Sequence, residues 1–226
     1  MMHQISLYLR NETCCFSPFY ADGLLAVLRR LGWLDFTILG GRHRAETARY
    51  LHANALAFDE GRKQGPYDLV VTCTDLIVQR NIRKGPLVLV QEGITEQEGA
   101  LFDWVKRFSL PRFLANTAAT GLSNAYDVFC VASPGYRDHF IRNGVSAEKI
   151  AVTGIPNFDH VDGLREQSFP LKGFVLAATS PLRESLRLDD RAAFIRKAVQ
   201  LAAGRPLVFK LHPNAVSYTH LRAHET

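Results

Sequence analysis

Long apolar runs are missing from this chain. Nowhere do about 18 consecutive apolar residues occur, the length a helix needs to cross a bilayer, and no basic stretch followed by an apolar core marks an export leader. Cysteine is scarce, and the four present, Cys14, Cys15, Cys73 and Cys130, have no zinc spacing. Cys14 and Cys15 are adjacent and poorly placed to bridge each other, while Cys73 and Cys130 lie inside apolar runs and read as small buried hydrophobes. Unpaired thiols of this kind fit a reducing compartment, so a cytoplasmic protein is expected. No Asp-x-Asp pair occurs, so a metal site is not indicated and no cofactor is expected; repeats and low-complexity tracts are absent too. The net charge is +5, but the basic residues are scattered and form no stripe interleaved with aromatics. Nucleic acid is therefore not an expected partner, whereas anionic substrates or an anionic membrane face suit a mildly basic surface equally well.

What is present is a core-forming composition. With 47% of its 226 residues hydrophobic, the chain can bury a large interior. Strand-like and helix-like runs alternate along it. Expected strands are Ile5–Leu9, Phe36–Leu39, Tyr67–Cys73, Pro86–Val90, Asp127–Ala132 and Lys149–Thr153, with Ala55–Phe58 as a short addition. Between them, helices are expected through Leu24–Leu31, Ala45–Asn54 and Gly135–Asn143, and along Glu96–Ala125 with a break at Pro111. The continuous apolar character of Pro86–Val90 is that of a parallel strand covered on both faces. The βα rhythm predicts an α/β fold with a doubly wound parallel sheet.

Residues 157–171 are polar, with Pro156 and Pro170 near the ends, and read as a linker between domains. The rhythm then restarts, with Gly173–Ala178 as strand, Asp189–Ala203 as helix and Pro206–Leu211 as strand. The expected organisation is an N-terminal Rossmann-like domain over 1–156, the linker over 157–171, and the start of a second such domain over 172–215, cut off early. The last eleven residues, 216–226, continue neither period and resemble a peptide translated from sequencing-adapter DNA, so they are expected to be foreign to the native protein. His220 and His224 within them are at i, i+4 spacing but have no third ligand beside them.

Chemistry concentrates where strands stop, because ligands of open α/β sheets bind beyond the carboxyl ends of the strands. Lys210, His212 and Asn214 follow the apolar run Pro206–Phe209, and a cation next to a histidine suits a phosphate. Glu92 follows another apolar run and precedes Gly93, which lets a ligand approach the backbone closely; a general base fits there. The competing reading makes Glu92 a carboxylate at the start of a helix beginning near Thr95. Asp75 also ends a strand, either as a second acid/base group or as a cap on the following helix. Asn11 and Glu12, in the loop after the first expected strand, are candidates for the acceptor side together with Gly93.

Four segments resemble motifs of the GT-B superfamily of sugar-nucleotide enzymes. Thr153-Gly-Ile-Pro-Asn-Phe-Asp159 is similar to the interdomain motif of non-hydrolysing UDP-N-acetylglucosamine 2-epimerases and of CDP-glycerol glycerophosphotransferases. Thr179-Ser-Pro-Leu-Arg-Glu-Ser185 resembles the epimerase segment after the first strand of the second domain, and Phe209–Asn214 resembles the Lys-x-His-Pro of polymer-forming transferases. Gln91-Glu-Gly93 stands where those transferases carry His-Gly. The resemblance implies a GT-B fold in which Ser180, Arg183, Glu184, Lys210, His212 and Asn214 bind a nucleotide-activated donor, with Glu92 and Asp75 as catalytic carboxylates. It implies transfer of a sugar or glycerophosphate from a UDP- or CDP-linked donor to a polysaccharide or lipid-linked acceptor, in the cytoplasm or at the inner membrane face. The alternatives are an epimerase-like isomerase and a non-catalytic sugar-nucleotide-binding protein. Epimerisation fits less well, because Arg112 and Phe113 stand where that family has acids and Pro181 or Leu182 where it has a histidine.

Overall fold

A computed structural model describes the chain apart from residues 36, 38, 160, 166–168, 180–189 and 212–226. The chain divides into two units, Met1–Val161 and Asp162–Thr226. The first is built on a four-stranded sheet of β1 (Val70–Thr72), β2 (Leu87–Val90), β3 (Val128–Val131) and β4 (Ile150–Val152). All neighbouring pairs are parallel, in the order β1-β2-β3-β4. The register pairs Val71 with Val88, Leu89 with Phe129 and Cys130 with Ala151. Mixed α/β architecture with a parallel sheet is thus as expected, and the strand order runs in one direction without reversal.

The sheet centre is dry. Leu87, Leu89, Phe129 and Val131 are fully buried and pack with Val78, Ile82, Tyr126, Phe140 and Val145. The Phe129 and Phe140 rings meet with centroids 4.7 Å apart. Removing either ring would cost about 3–5 kcal/mol, the usual loss for a large core aromatic. Phe140 comes from α5 (Pro134–Arg142), which starts where it does for local reasons: Ser133 caps it by accepting the Tyr136 N–H, and Pro134 occupies the first turn. Gly144, at φ +102°, turns the chain out of the helix toward β4.

Between β2 and β3 the long expected helix is broken twice. α4 (Ala100–Phe108) ends at Ser109 in the left-handed region, Pro111 breaks the path, and two 3₁₀ turns within Arg112–Ala119 follow, kinked at Asn116 (φ +48°). Small residues Ala115, Ala118 and Ala119 let this stretch lie close against Phe102 and Val105 of α4.

Several expectations are corrected. Ile5–Leu9 is not a strand: α1 (Met2–Ser6) occupies that end, its Leu7 N–H bonding to the His3 and Gln4 carbonyls and the Ser6 hydroxyl to His3. Hydrogen bonds within one turn win there over sheet pairing. Thr37 and Leu39 lie in turns closed by Thr37 N–H to Leu34 C=O and Gly40 N–H to Thr37 C=O, while Phe36 and Ile38 fall outside the described residues. Ala55–Phe58 contributes only a single bridge, Phe16 to Phe58, because Ala55 is left-handed at φ +51°. The remaining expected helices of this unit form as α2 (Gly23–Arg30) and α3 (Gly41–Ala53). Within residues 157–171, read as a linker, lie most of a 3₁₀ turn, Pro156–Phe158, and α6 (Val161–Arg165).

In the second unit β5 (Val175–Ala178) pairs in parallel with β6 (Leu207–Lys210) across α7 (Arg191–Ala202), as expected. Asp190 caps α7 by accepting the Ala193 N–H at 2.8 Å. Ala203 and Gly204, both at positive φ, end it.

Candidate functional site

Because the four strands are parallel, their carboxyl ends share one edge of the sheet, and Cys73, Gln91–Gly93, Ala132 and Thr153 emerge there. Gln91 builds this edge. It is fully buried, its backbone N–H bonds to the Cys130 carbonyl at 2.9 Å, its Oε1 accepts the Ala132 N–H at 2.9 Å, and its Nε2 donates to the Gly93 carbonyl at 2.8 Å. One side chain therefore ties the end of β2 to the end of β3 and closes the Gln91–Gly93 turn. Farther along, the Glu96 N–H is held by Thr117 Oγ1 at 2.9 Å, and the Glu98 carboxylate accepts from Asn143 Nδ2 at 2.8 Å with His139 at 3.7 Å. The loop is pinned on both sides of a short tip.

Glu92 is at that tip, exposed, beside half-buried Gly93 and an Ile94 that is 87% exposed. Its carboxylate is felt by the neighbouring strand end: burial first, and then the negative charge of Glu92, push the Cys73 thiol up to about 12. The helix-start reading of Glu92 does not hold, because α4 begins only at Ala100. The carboxylate is thus exposed at the tip of the turn, within hydrogen-bonding reach of the Cys73 thiol.

Asp75 is placed differently. It is 1% exposed, its Oδ1 accepts the Gly121 N–H at 2.8 Å, and its Oδ2 accepts the Ser123 N–H at 3.0 Å. Its own carbonyl accepts from Arg112 Nε at 3.2 Å. No helix follows it directly, so it caps no helix; it holds the 121–123 turn, which the Tyr126 hydroxyl secures through the Gly121 carbonyl at 2.6 Å. Burial, aided by the Asp75 charge, raises the Tyr126 pKa above the usual phenol range. Asn11 and Glu12 are exposed and follow α1, so the strand expected to bring them to the ligand edge is not there.

Cys73 and Cys130 are half-buried and Cys15 is exposed, and all four cysteines are free. In the second unit Lys210 is the last residue of β6 and exposed, and its carbonyl accepts the Thr179 N–H at 3.0 Å. Ser180, Arg183, Glu184, His212 and Asn214 lie outside the described residues.

A cavity of about 180 Å³ lies between the Cys15–Tyr20 loop and β1. Its polar groups are turned onto one another. Burial works to raise the Asp59 carboxyl, but bonds from the Tyr67 hydroxyl at 2.6 Å, Gln64 N–H at 3.0 Å and Lys63 N–H at 2.8 Å hold it below the usual carboxylate range. Arg62 donates to the Asn81 and Tyr67 carbonyls, and Gln79 to that of Tyr20. The cluster folds the loop and leaves little for a ligand, in a space below the roughly 300 Å³ usual for ligand clefts.

Among the described residues no helix is long and apolar enough to cross a membrane, and no group of three or more His, Cys, Asp or Glu is placed to hold a metal ion. No family model matches the chain, and no curated protein or solved structure is significantly similar to it.

Glu92 does lie directly beyond the strand end, as its place between an apolar run and a glycine implies. Gln91 was not singled out as an anchor. The available signal was a lone amide directly after Leu87–Val90, where burial demands that both its polar ends be satisfied.

Proposed function

We propose that the protein carrying this chain is a GT-B-type transferase, moving a sugar or glycerophosphate from a UDP- or CDP-linked donor to a polysaccharide or lipid-linked acceptor. The observation that supports it is the open carboxylate of Glu92, fixed at the carboxyl edge of a parallel sheet by the double anchor of Gln91. Glu92 takes the proton of an acceptor hydroxyl as that oxygen attacks the activated carbon or phosphorus, and the nucleotide departs with the bonding electrons. The motif resemblance gives Lys210, Arg183 and His212 the role of neutralising the departing phosphate. Of the two strand-end carboxylates, Asp75 is committed to two backbone N–H groups, so the base is assigned to Glu92. Elimination and re-addition at C2 needs several carboxylates, and Arg112, bonded to the Asp75 carbonyl, stands where one of them would be.

The test is Glu92→Gln, with CDP-glycerol and UDP-N-acetylglucosamine as donors. Turnover is expected to fall by about 10²-fold or more, with donor affinity by calorimetry unchanged, while His212→Ala weakens donor binding. Full turnover in Glu92→Gln removes the base, and absence of binding to either nucleotide removes the transferase.

A further inference from the structure

We infer that a cleft at the amino edge of the four-stranded sheet binds a small phosphate monoester through Arg62 and Lys84. The site stands apart from the proposed reaction: Pro86, in its wall, precedes β2, while Glu92 follows it, and the strand between them spans roughly 15 Å. The cleft offers about 570 Å³, within the range of ligand sites. Arg62 and Tyr67, which it shares with the smaller cavity, line it together with Asp68, Asn81, Lys84 and Gly85. The two segments that wall it, 61–68 and 80–86, carry Arg62, Lys63, Arg80, Arg83 and Lys84 against Asp68 alone, five positive and one negative, a net of +4. Charge of one sign around a concave surface concentrates anions there.

Arg62 is built into place. Its backbone is left-handed at φ +58°, directly after Gly61 at +75°, a conformation that a residue with a side chain keeps only where its surroundings hold it. Asn81 organises the hold: its carbonyl accepts from Arg62 Nη1 at 2.7 Å, its Nδ2 donates to the Gly61 carbonyl at 2.9 Å, and its Oδ1 accepts the Tyr20 hydroxyl at 2.7 Å. Arg62 Nη2 donates to the Tyr67 carbonyl at 3.1 Å, and the guanidinium lies 5.6 Å over the Tyr67 ring. Two of the five N–H groups of a guanidinium are spent in this way, and three remain. Carbonyls leave its charge unneutralised, and among the described residues no carboxylate pairs with Arg62 or with the exposed Lys84. A Cβ at position 85 would lie 3.9 Å from Arg62 Nη2, so glycine there keeps the approach to that nitrogen open. A planar fork held still beside a second cation suits a tetrahedral dianion. Tyr67, the one aromatic ring lining the cleft, is engaged by the guanidinium on its face and by Asp59 at its hydroxyl, so the cleft selects by charge and not by stacking a base.

The experiment titrates orthophosphate and phenyl phosphate into the full chain at low ionic strength, read by calorimetry and by the amide resonances of Gly65 and Gly85. Both probes are expected to bind at millimolar concentration or below and to shift both resonances. Lys84→Gln should weaken binding about tenfold, the worth of one charge-assisted hydrogen bond. Arg62→Lys keeps the charge, loses the fork and should cost a similar factor. Lys84 is exposed, so Lys84→Gln tests the site whatever Arg62→Lys does to the fold. Asp68→Asn removes the opposing charge and should tighten binding about two- to fivefold. His212→Ala should leave it unchanged, which separates this site from the proposed donor motif. Unshifted Gly65 and Gly85 resonances at saturating orthophosphate overturn the inference. So does binding that Lys84→Gln leaves intact, binding that His212→Ala removes, or capture of a single-stranded RNA that orthophosphate fails to displace.

Discussion

Asp75→Ala isolates what the buried carboxylate does. Two charge-assisted hydrogen bonds are lost, at 2.8 Å to the Gly121 N–H and 3.0 Å to the Ser123 N–H. Bonds to an ionised group are worth about 1.5–3 kcal/mol each, and a donor left unpaired in the interior forfeits its solvation as well. Gly121 is buried, so its N–H stays unpaired, whereas half-buried Ser123 can recover water. The sum is a loss of about 3–4 kcal/mol, in the lower part of the range for two such bonds. Asp75→Asn keeps one acceptor and turns an NH₂ toward the other donor, so about half that loss is expected.

Urea unfolding followed by tryptophan emission is the assay. Both tryptophans, Trp33 and Trp104, belong to the first unit, so the signal reports that unit. With a slope of about 2 kcal/mol per M, the midpoint should fall by about 1.5–2 M, and hydrogen exchange at Gly121 and Ser123 should accelerate. If Asp75→Ala unfolds within about 0.5 kcal/mol of the parent, the range of an ordinary surface change, and Gly121 keeps its protection, the role of Asp75 in holding the 121–123 turn is refuted.

Gly121→Ala strains the same turn, because the residue sits at φ +87° and a methyl group would lie 2.9 Å from both Phe129 and Val145; a loss of about 2–4 kcal/mol in the same urea assay is expected, and a neutral effect would contradict the packing. With its pKa at about 12, Cys73 at pH 8 is thiolate in only about one molecule in 10⁴, so exposed Cys15 should react first with an aromatic disulfide reagent. Glu92→Gln removes a negative charge and should speed Cys73 labelling, and an unchanged rate would separate the two side chains. Cys73 and Tyr126 are both raised on folding, so their contribution is complete below about pH 9, near the unfolded thiol value. It should be lost as the pH climbs from there toward the folded values, lowering the urea midpoint, whereas a flat alkaline profile would show that neither group is desolvated.

The strands that could be read from the chain are its continuous apolar runs. Leu87–Val90 and Val128–Val131 have that character because they occupy the centre of the four-stranded sheet, and Val175–Ala178 and Leu207–Lys210 carry the same pattern although Leu176 and Phe209 are exposed. Ile5–Leu9 has similar composition and becomes a helix followed by exposed Leu7, Tyr8 and Leu9. An apolar run specifies burial of its side chains; it does not specify which neighbour supplies the other half of each backbone hydrogen bond. Where a turn of helix can satisfy those groups locally, composition alone cannot separate the two outcomes.

The two carboxylates at strand ends make the same point for chemistry. Asp75 and Glu92 look alike in sequence, each following an apolar run and a small or polar residue. What divides them is a segment 46 to 48 residues downstream of Asp75, where Gly121 and Ser123 return to close over one carboxylate, while Gln91 and Thr117 pin the loop around the other and leave it open. The positive φ of Gly121 is what allows its N–H to face Asp75 without a side chain colliding with Phe129. A glycine in the middle of Thr120-Gly-Leu-Ser123 is therefore as much a determinant of which carboxylate is buried as either acid itself, and it acts through a contact that no local pattern around residue 75 or 92 encodes.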